Sequence, residues 1–330
     1  MRPVALLAAL ALWWALPVAA QDPPHLFQLP VECDMQEVCC VQLYIDIDPT
    51  EGAMDYACGH LTYDASTGTD IRVRDLADMD RGIPVVAAAP GVVLQIRDGM
   101  DDVSVTEIGV AALEGRFAGN GVGIDHGSGW FTQYSHLRKG SIRVKAGDEV
   151  AAGTPLGLIG LSGRTNYPHV EFTVRYQGEV VDPFVGIIPE FGCDKPRRPL
   201  WTVQALAAMP YRPAWLINAG FADEAVRTEK IRRGEYALTT LPADAPVLSF
   251  WIYYANVVGG DQYELAITAP DGADMIRTPG SVDKDQFTFY AFTGLRRPAE
   301  GWSAGTYRAT FSLARDGREV LSAERNIKVQ

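Results

Sequence analysis

The chain has 330 residues, of which 47% are hydrophobic, and it contains 32 glycines and 21 prolines. This composition excludes an intrinsically disordered chain and suits two compact, turn-rich domains. The formal net charge of −12 argues against nucleic acid or anionic lipid as a partner, because both are bound through lysine and arginine. We therefore expect a neutral or cationic partner.

Residues 1–20 have the pattern of a secretory signal peptide. Arg2 supplies a positive start, the run Ala5–Leu16 is apolar, and the small residues Val18–Ala20 form a cleavage site before Gln21. The apolar run is short for a bilayer-spanning helix, although an uncleaved N-terminal anchor is the alternative. We expect a periplasmic or secreted protein with no stable membrane anchor after cleavage.

Residues 21–55 form a Cys-rich segment that contributes three of the five cysteines of the chain. In an oxidising compartment, five cysteines predict two disulfides and one free thiol. We expect a short loop from Cys33 to Cys39 or Cys40, a bridge between Cys58 and Cys193, and the free thiol within the first group. A zinc knuckle is the weaker alternative, because Cys39 and Cys40 are adjacent.

The segment 56–195 reads as short apolar strands separated by glycine and proline turns. The stretches "IPVVAAAPGVVLQIRDG" and "VKAGDEVAAGTPLGLIGLSG" show this pattern and share a weak similarity that suggests a duplicated β-hairpin. No long amphipathic helix interrupts them. The pattern predicts an all-β domain.

Residues 196–212 are rich in proline and arginine, and we place a linker there. Beyond it, in 213–330, apolar and polar residues alternate, as in Tyr263, Leu265 and Ile267, and the turn signals "APDG" and "ARDG" fall at strand ends. This pattern predicts an immunoglobulin-like β-sandwich.

Three motifs of the first domain carry polar residues suited to chemistry: "YDASTGTDI" at 63–71, "TQYSHL" at 132–137 and "YPHVEFTVR" at 167–175. Their order and spacing resemble the lysostaphin-like (LytM-type) zinc endopeptidases, which cut peptide crosslinks in bacterial peptidoglycan. The resemblance covers residues 56–187 and implies an antiparallel β-sheet peptidase-like domain.

The resemblance also assigns positions to individual residues. It places Ser66, Asp70 and Glu171 where the family has a histidine, an aspartate and a histidine as zinc ligands, so two of the three ligands are replaced. It places His136 and His169 where the family has the histidines that serve the reaction. A neutral hydroxyl is a poor zinc ligand and oxygen-rich sites suit harder cations, so we expect a pseudoenzyme without zinc. Zinc is expected only if the family site is retained in altered form.

Each of these residues also has a structural interpretation. For Glu171 we expect a hydrogen bond or ion pair with His169 or Arg175 rather than metal ligation. Asp70 as a turn residue is an open alternative, and so is His60 as a replacement ligand. We expect His126 to be structural.

Aromatic side chains flank the same motifs. Trp130, Tyr134 and Tyr167 are predicted to line a ligand cleft, with core packing as the alternative for each. The favoured function is noncatalytic: binding of peptidoglycan peptide, or regulation of a cell-wall hydrolase. The alternatives are a cell-wall metalloendopeptidase with an atypical metal site, and a protein- or glycan-binding module that acts through the sandwich.

Overall fold

The computed structural model describes residues 22–187, 193 and 195–329, and the predicted signal peptide lies outside them. The described chain is nearly all β, as predicted. Its α-helices are at most six residues long: α1 Leu76–Arg81, α2 Val105–Ile108, α3 Val203–Ala208 and α4 Thr228–Arg233. No helix in this part of the chain is long and apolar enough to span a membrane.

An antiparallel sheet of eight strands dominates the first half of the chain, in the order β1-β2-β9-β6-β5-β4-β7 with β10 beside β9, and β3 pairs with β8 in a separate small sheet. The strands are β1 Cys39–Leu43, β2 Thr69–Val73, β3 Pro84–Val86, β4 Gly91–Arg97, β5 Asn120–Gly127, β6 Trp130–Leu137, β7 Glu149–Val150, β8 Pro155–Leu158, β9 His169–Tyr176 and β10 Glu179–Val180.

Aromatic rings form the core under the centre of this sheet. Phe172 of β9 is fully buried, and its ring lies 5.8 Å from Phe27, 5.3 Å from Tyr134 and 5.2 Å from Trp201, measured between ring centroids. Phe27 comes from the Cys-rich segment, which therefore packs into the same core as the sheet. Strand β9 thus packs on a layer of aromatic rings.

Residues 196–212 do not behave as the predicted linker. Leu200, Trp201, Ala205 and Met209 are buried in the first core, and α3 lies between them in sequence. The proline and arginine content indicated an exposed segment, but the apolar residues between those positions bury against the sheet. The second large core begins at Ala214, and we propose that the domain boundary lies between Met209 and Ala214.

Beyond Ala214, a sheet of three strands, β11-β13-β16, faces a sheet of five strands, β12-β18-β17-β14-β15. Phe250, Leu265 and Phe311 fill the space between the sheets. This arrangement is the predicted immunoglobulin-like sandwich. The strands are β11 Trp215–Ala222, β12 Thr240–Leu241, β13 Val247–Val257, β14 Gln262–Thr268, β15 Asp274–Ser281, β16 Gln286–Arg296, β17 Gly305–Arg315 and β18 Arg318–Val329.

A smaller core joins the two halves. Cys40 of β1 packs in one apolar cluster with Trp215, Trp251 and Tyr253 of the sandwich. Burial raises the pKa of the Cys40 thiol to about 12, so it stays protonated at neutral pH.

The disulfides are Cys33–Cys39 and Cys58–Cys193, and Cys40 is free, which confirms the predicted pairing and the place of the odd thiol. The first bridge closes a short local loop. The second ties the loop before β2 to the segment that follows the sheet.

Removal of the long bridge should destabilise the protein more than removal of the short one. The two bridges span sequence separations of 135 and 6 residues. The chain-entropy model then predicts a loss of about 5 kcal/mol for Cys58→Ala with Cys193→Ala, and about 2 kcal/mol for Cys33→Ala with Cys39→Ala. Urea unfolding of both double variants measures the free energies, and a larger loss for the short bridge would contradict the prediction.

Candidate functional site

The three motifs meet on neighbouring strands. β2, β9 and β6 are adjacent, and the register places Asp70 opposite Glu171 on one side of β9 and Ser135 opposite Glu171 on the other. His136 follows Ser135 and has a φ of 63°, a left-handed conformation that is unusual for a histidine. Because of this local twist, the His136 side chain reaches Glu171, as Ser135 does, although successive strand residues normally point to opposite faces.

Two carboxylate–imidazole pairs form the centre of the site. Glu171 Oε2 lies 3.5 Å from His136 Nε2, and Asp70 Oδ2 lies 3.5 Å from His169 Nε2. The two imidazole rings are neighbours, with centroids 4.7 Å apart. Directly opposed carboxylates destabilise a strand pair, so the imidazoles offset the repulsion between Asp70 and Glu171.

The remaining ring nitrogens are fixed by backbone oxygens. His136 Nδ1 lies 2.7 Å from the Ser162 carbonyl oxygen, and His169 Nδ1 lies 2.9 Å from that of Tyr167. In both rings the Nδ1 proton can be donated to the carbonyl, which leaves Nε2 directed at the carboxylate. Each imidazole is therefore held at both nitrogens.

The electrostatics separate the two pairs. Burial would lower the pKa of His136, but the hydrogen bond and charge of Glu171 outweigh it and raise the pKa. Burial would raise the pKa of Glu171, but the hydrogen bond and charge of His136 lower it. Burial and then the charge of His136 hold the pKa of His169 well below its usual value, while burial and the charge of Glu171 raise the pKa of Asp70 to about 7. The site thus favours one ionised pair beside a neutral imidazole.

Ser66 lies in the loop before β2 and takes no part in these pairs. Its hydroxyl donates to the Tyr44 carbonyl oxygen at 3.0 Å. Two residues further, Gly68 lies directly beneath Glu171, and a Cβ there would come within 2.2 Å of the Glu171 Cγ. The glutamate side chain therefore fills the space beside the loop, and it does so only because residue 68 is glycine.

The residues present do not fit a zinc ion. The Ser66 hydroxyl is engaged with backbone, and Asp70 Oδ2 accepts a hydrogen bond from the Tyr167 hydroxyl at 2.6 Å. Glu171 is balanced by the His136 imidazole, and Asp70 faces His169 Nε2 at 3.5 Å. Among residues 22–187, 193 and 195–329, no group of three or more His, Cys, Asp or Glu side chains has an arrangement that could hold a metal ion.

The expected partner of Glu171 was wrong. It pairs with His136 on the adjacent strand, while His169 pairs with Asp70 and Arg175 donates to the Gly178 carbonyl oxygen. The reason is the cross-strand register. Glu171 lies on β9 between β2 and β6, and the left-handed conformation of His136 brings its side chain to Glu171 from β6.

Two of the three proposed cleft aromatics are core residues. Trp130 and Tyr134 are both 0% exposed, and the Tyr134 hydroxyl accepts a hydrogen bond from the Ala88 amide. They lie on the core side of β6, so neither can line a ligand cleft. Tyr167 does reach the site through its hydroxyl bond to Asp70, and its ring stacks on His169 at 4.5 Å.

The other histidines lie elsewhere. His60 is exposed and lines a cavity between the two halves of the chain rather than the carboxylate–imidazole cluster. His126 contacts the Pro90 carbonyl oxygen at 2.7 Å and the Thr132 hydroxyl at 2.8 Å, as expected of a structural histidine.

Tyr63 was not predicted as a site residue, although it begins the first motif. Burial and the charges of Asp70 and Glu171 raise the pKa of Tyr63 to about 12. Tyr63 is 45% exposed, and its ring centroid lies 6.5 Å from that of Phe287 in the sandwich. An exposed aromatic residue from each half of the chain thus meets the other.

Comparison with known proteins agrees with the motifs. Residues 65–183 match the model of peptidase family M23. The chain is 33% identical over 111 residues to the peptidoglycan DD-endopeptidase ShyA of Vibrio cholerae, which covers 34% of this chain and 22% of ShyA. It is 33% identical over 102 residues to the cell division protein DipM of Caulobacter vibrioides, covering 31% of this chain and 14% of DipM.

A third relative is the murein hydrolase activator EnvC of Escherichia coli. It is 37% identical over 60 residues, covering 18% of this chain and 14% of EnvC. The chain thus spans less than a quarter of the length of each of these relatives. Residues 65–183 contain Ser66, Asp70, His136, His169 and Glu171, and this segment matches peptidase family M23, the family of the LytM-type domains.

Proposed function

We propose that this protein is a secreted, noncatalytic relative of the peptidoglycan endopeptidases, and that it binds cell-wall peptide at the exposed aromatic pair Tyr63 and Phe287. The observation that carries the proposal is the pairing of Asp70 with His169 and of Glu171 with His136. Catalytic zinc sites need three protein ligands and an open position for water. Here the carboxylates and the imidazoles are engaged with each other.

Both imidazoles of the paired cluster face carboxylates, which supports a structural role. His136 gains a proton more easily than a free imidazole, because Glu171 raises its pKa, and His169 is held neutral by burial and by the charge of His136. A metal would have to displace the Glu171–His136 ion pair and the Asp70–His169 contact before it could bind. We therefore assign the cluster a structural role, in which it holds β2, β9 and β6 together.

Secretion is supported by the signal-peptide pattern of residues 1–20 and by the two disulfides. Disulfides persist in oxidising compartments such as the periplasm. Tyr63 and Phe287 are exposed aromatic residues, which suit the apolar faces of peptides and sugars. The net charge of −12 disfavours nucleic acid as the ligand.

Regulation of a cell-wall hydrolase is the second candidate. It is favoured by the similarity to a relative named as a murein hydrolase activator. A noncatalytic domain that resembles the hydrolases could act in this way without a metal. Under this candidate the chain has no affinity for peptidoglycan alone, and it changes the rate of a hydrolase from the same cell envelope.

Cosedimentation with insoluble crosslinked peptidoglycan tests the proposal. We expect saturable binding without release of soluble fragments, whether or not zinc is added. Tyr63→Ala should weaken binding several-fold, since an aromatic contact contributes on the order of 1 kcal/mol, while Phe292→Ala, an exposed aromatic on β16, should not. Zinc-dependent release of fragments that disappears in His169→Ala would show an enzyme, and absence of binding would leave the regulatory candidate.

A further inference from the structure

A buried arginine without a carboxylate partner lies two residues from Asp70. Arg72 is 1% exposed, and its Nε donates to the Val73 carbonyl oxygen at 3.0 Å. Nη1 donates to the Gln42 side chain and to the Tyr253 hydroxyl, the latter at 3.2 Å, and Nη2 donates to the Arg74 carbonyl oxygen at 3.3 Å. A guanidinium has five N–H groups, so one remains without an acceptor in the described chain.

The positive charge of Arg72 is therefore surrounded by neutral groups. Its guanidinium carbon lies 4.9 Å from the ring centroid of Tyr167 and 5.2 Å from that of Tyr253. Among the described residues, the polar groups that interact with it are phenols, an amide, carbonyls and a thiol, with no carboxylate. Buried charges are normally paired, because an unpaired ion loses its hydration without compensation.

Arg72 and its two tyrosines line a cavity of about 410 Å³ between the first domain and the sandwich. Arg232 of α4 lies on the opposite wall, is exposed, and donates to the Asn166 carbonyl oxygen at 2.6 Å. Within the described chain, Arg232 forms no ion pair. Two guanidinium groups from different domains thus face one cavity.

The other charges of the cavity largely cancel. Arg74 is paired with Asp78, which is not part of the cavity lining, and Arg233 is paired with Glu229 at 3.3 Å. Asp75 is engaged as the cap of α1, where it accepts from the Asp78 amide and from the Asn218 side chain.

Glu107 is the remaining acid of the cavity, and it is exposed. The lining has four arginines against the three acids Asp75, Glu107 and Glu229, which leaves about one positive charge in a protein whose overall charge is negative.

We propose that this cavity binds the terminal carboxylate of a short peptide. A monoanion matches the single excess positive charge, and charged hydrogen bonds from Arg72 and Arg232 suit carboxylate oxygens. The rings of Tyr167 and Tyr253 provide apolar walls for the residue that carries the carboxylate. The volume is in the range of pockets that enclose small ligands. The proposal stands apart from the proposed function, because the cavity lining includes neither Tyr63 nor Phe287.

Isothermal titration at low ionic strength tests the site with a matched pair of probes, N-acetyl-alanyl-alanine and its C-terminal amide. The two differ only in the anion. We expect the acid to bind with a Kd of about 1 mM or tighter, and the amide to bind at least about tenfold more weakly. Inorganic phosphate serves as a third probe and should bind more weakly than the acid.

Arg232→Ala is the informative variant, because its exposed side chain can be removed without disturbing the core. It should weaken binding of the acid about tenfold, the size of one charged hydrogen bond. Arg227→Ala, which removes an exposed arginine outside the cavity, is the control and should leave the affinity unchanged. No saturable binding of the acid, equal binding of the amide, stronger binding of phosphate, or an unchanged affinity in Arg232→Ala would each overturn the proposal.

Discussion

We expect the double variant Ser66→His with Glu171→His to bind zinc with micromolar or tighter affinity, and the unaltered chain to bind none. The replacement of Glu171 removes its ion pair with His136, and the two new histidines and Asp70 form a His, Asp, His ligand set. Three protein ligands are the usual complement of a catalytic zinc site. Each single variant lacks one strong ligand and should bind much more weakly. Competition titration against a chromogenic chelator measures the affinities.

Asp70→Asn, added to the double variant, is the control for the ligand assignment. An amide replaces the carboxylate with little change in size, so zinc affinity should fall while the fold is kept. Failure of the double variant to bind zinc would show that the assigned ligand positions are wrong. Zinc binding without cleavage of crosslinked peptidoglycan would show a rebuilt metal site in a cleft that does not admit substrate.

The second large effect is expected in the core beneath the site. Phe172→Ala should lower the free energy of unfolding by about 3–5 kcal/mol, because the ring is fully buried among Phe27, Tyr134 and Trp201 and its loss leaves a cavity. Phe292→Ala makes the same chemical change at a position that is 51% exposed, and it should stay within about 0.5 kcal/mol.

Urea unfolding of both phenylalanine variants gives the comparison. Equal losses in the two variants would contradict the placement of Phe172 in the aromatic layer. The comparison matters for the site because Phe172 precedes Thr173 and follows Glu171 on β9, so the same strand that buries this ring presents the glutamate to His136. A loosened β9 should therefore also weaken the Glu171–His136 pair.

Local pattern was sufficient for the fold class. Alternating apolar residues such as Leu265 and Ile267 predicted strands of the sandwich, and both are buried between its sheets. The same reasoning missed the burial of residues 200–209. Prolines and arginines indicate that their own positions are exposed, but they do not show how the apolar residues between them pack.

The candidate site was predictable only in part. The motifs identified Asp70, His136, His169 and Glu171, and the structure brings these four together. Their pairing was not predictable, since it depends on the register of β2, β9 and β6 and on the left-handed conformation of His136. Trp130 and Tyr134 were misplaced for a related reason: proximity in sequence to a site histidine does not decide which face of the sheet a side chain occupies.

The all-β class, the motif order and the expected replacement of two ligand positions could be read from the chain, because they depend on residue identity and short-range periodicity. Only the packed structure shows which carboxylate meets which imidazole, that Tyr63 lies near Phe287, and that Arg72 and Arg232 line one cavity. These contacts join residues up to 224 positions apart, as with Tyr63 and Phe287. Contacts at such separations form when sheets and domains pack, and local pattern carries no information about that packing.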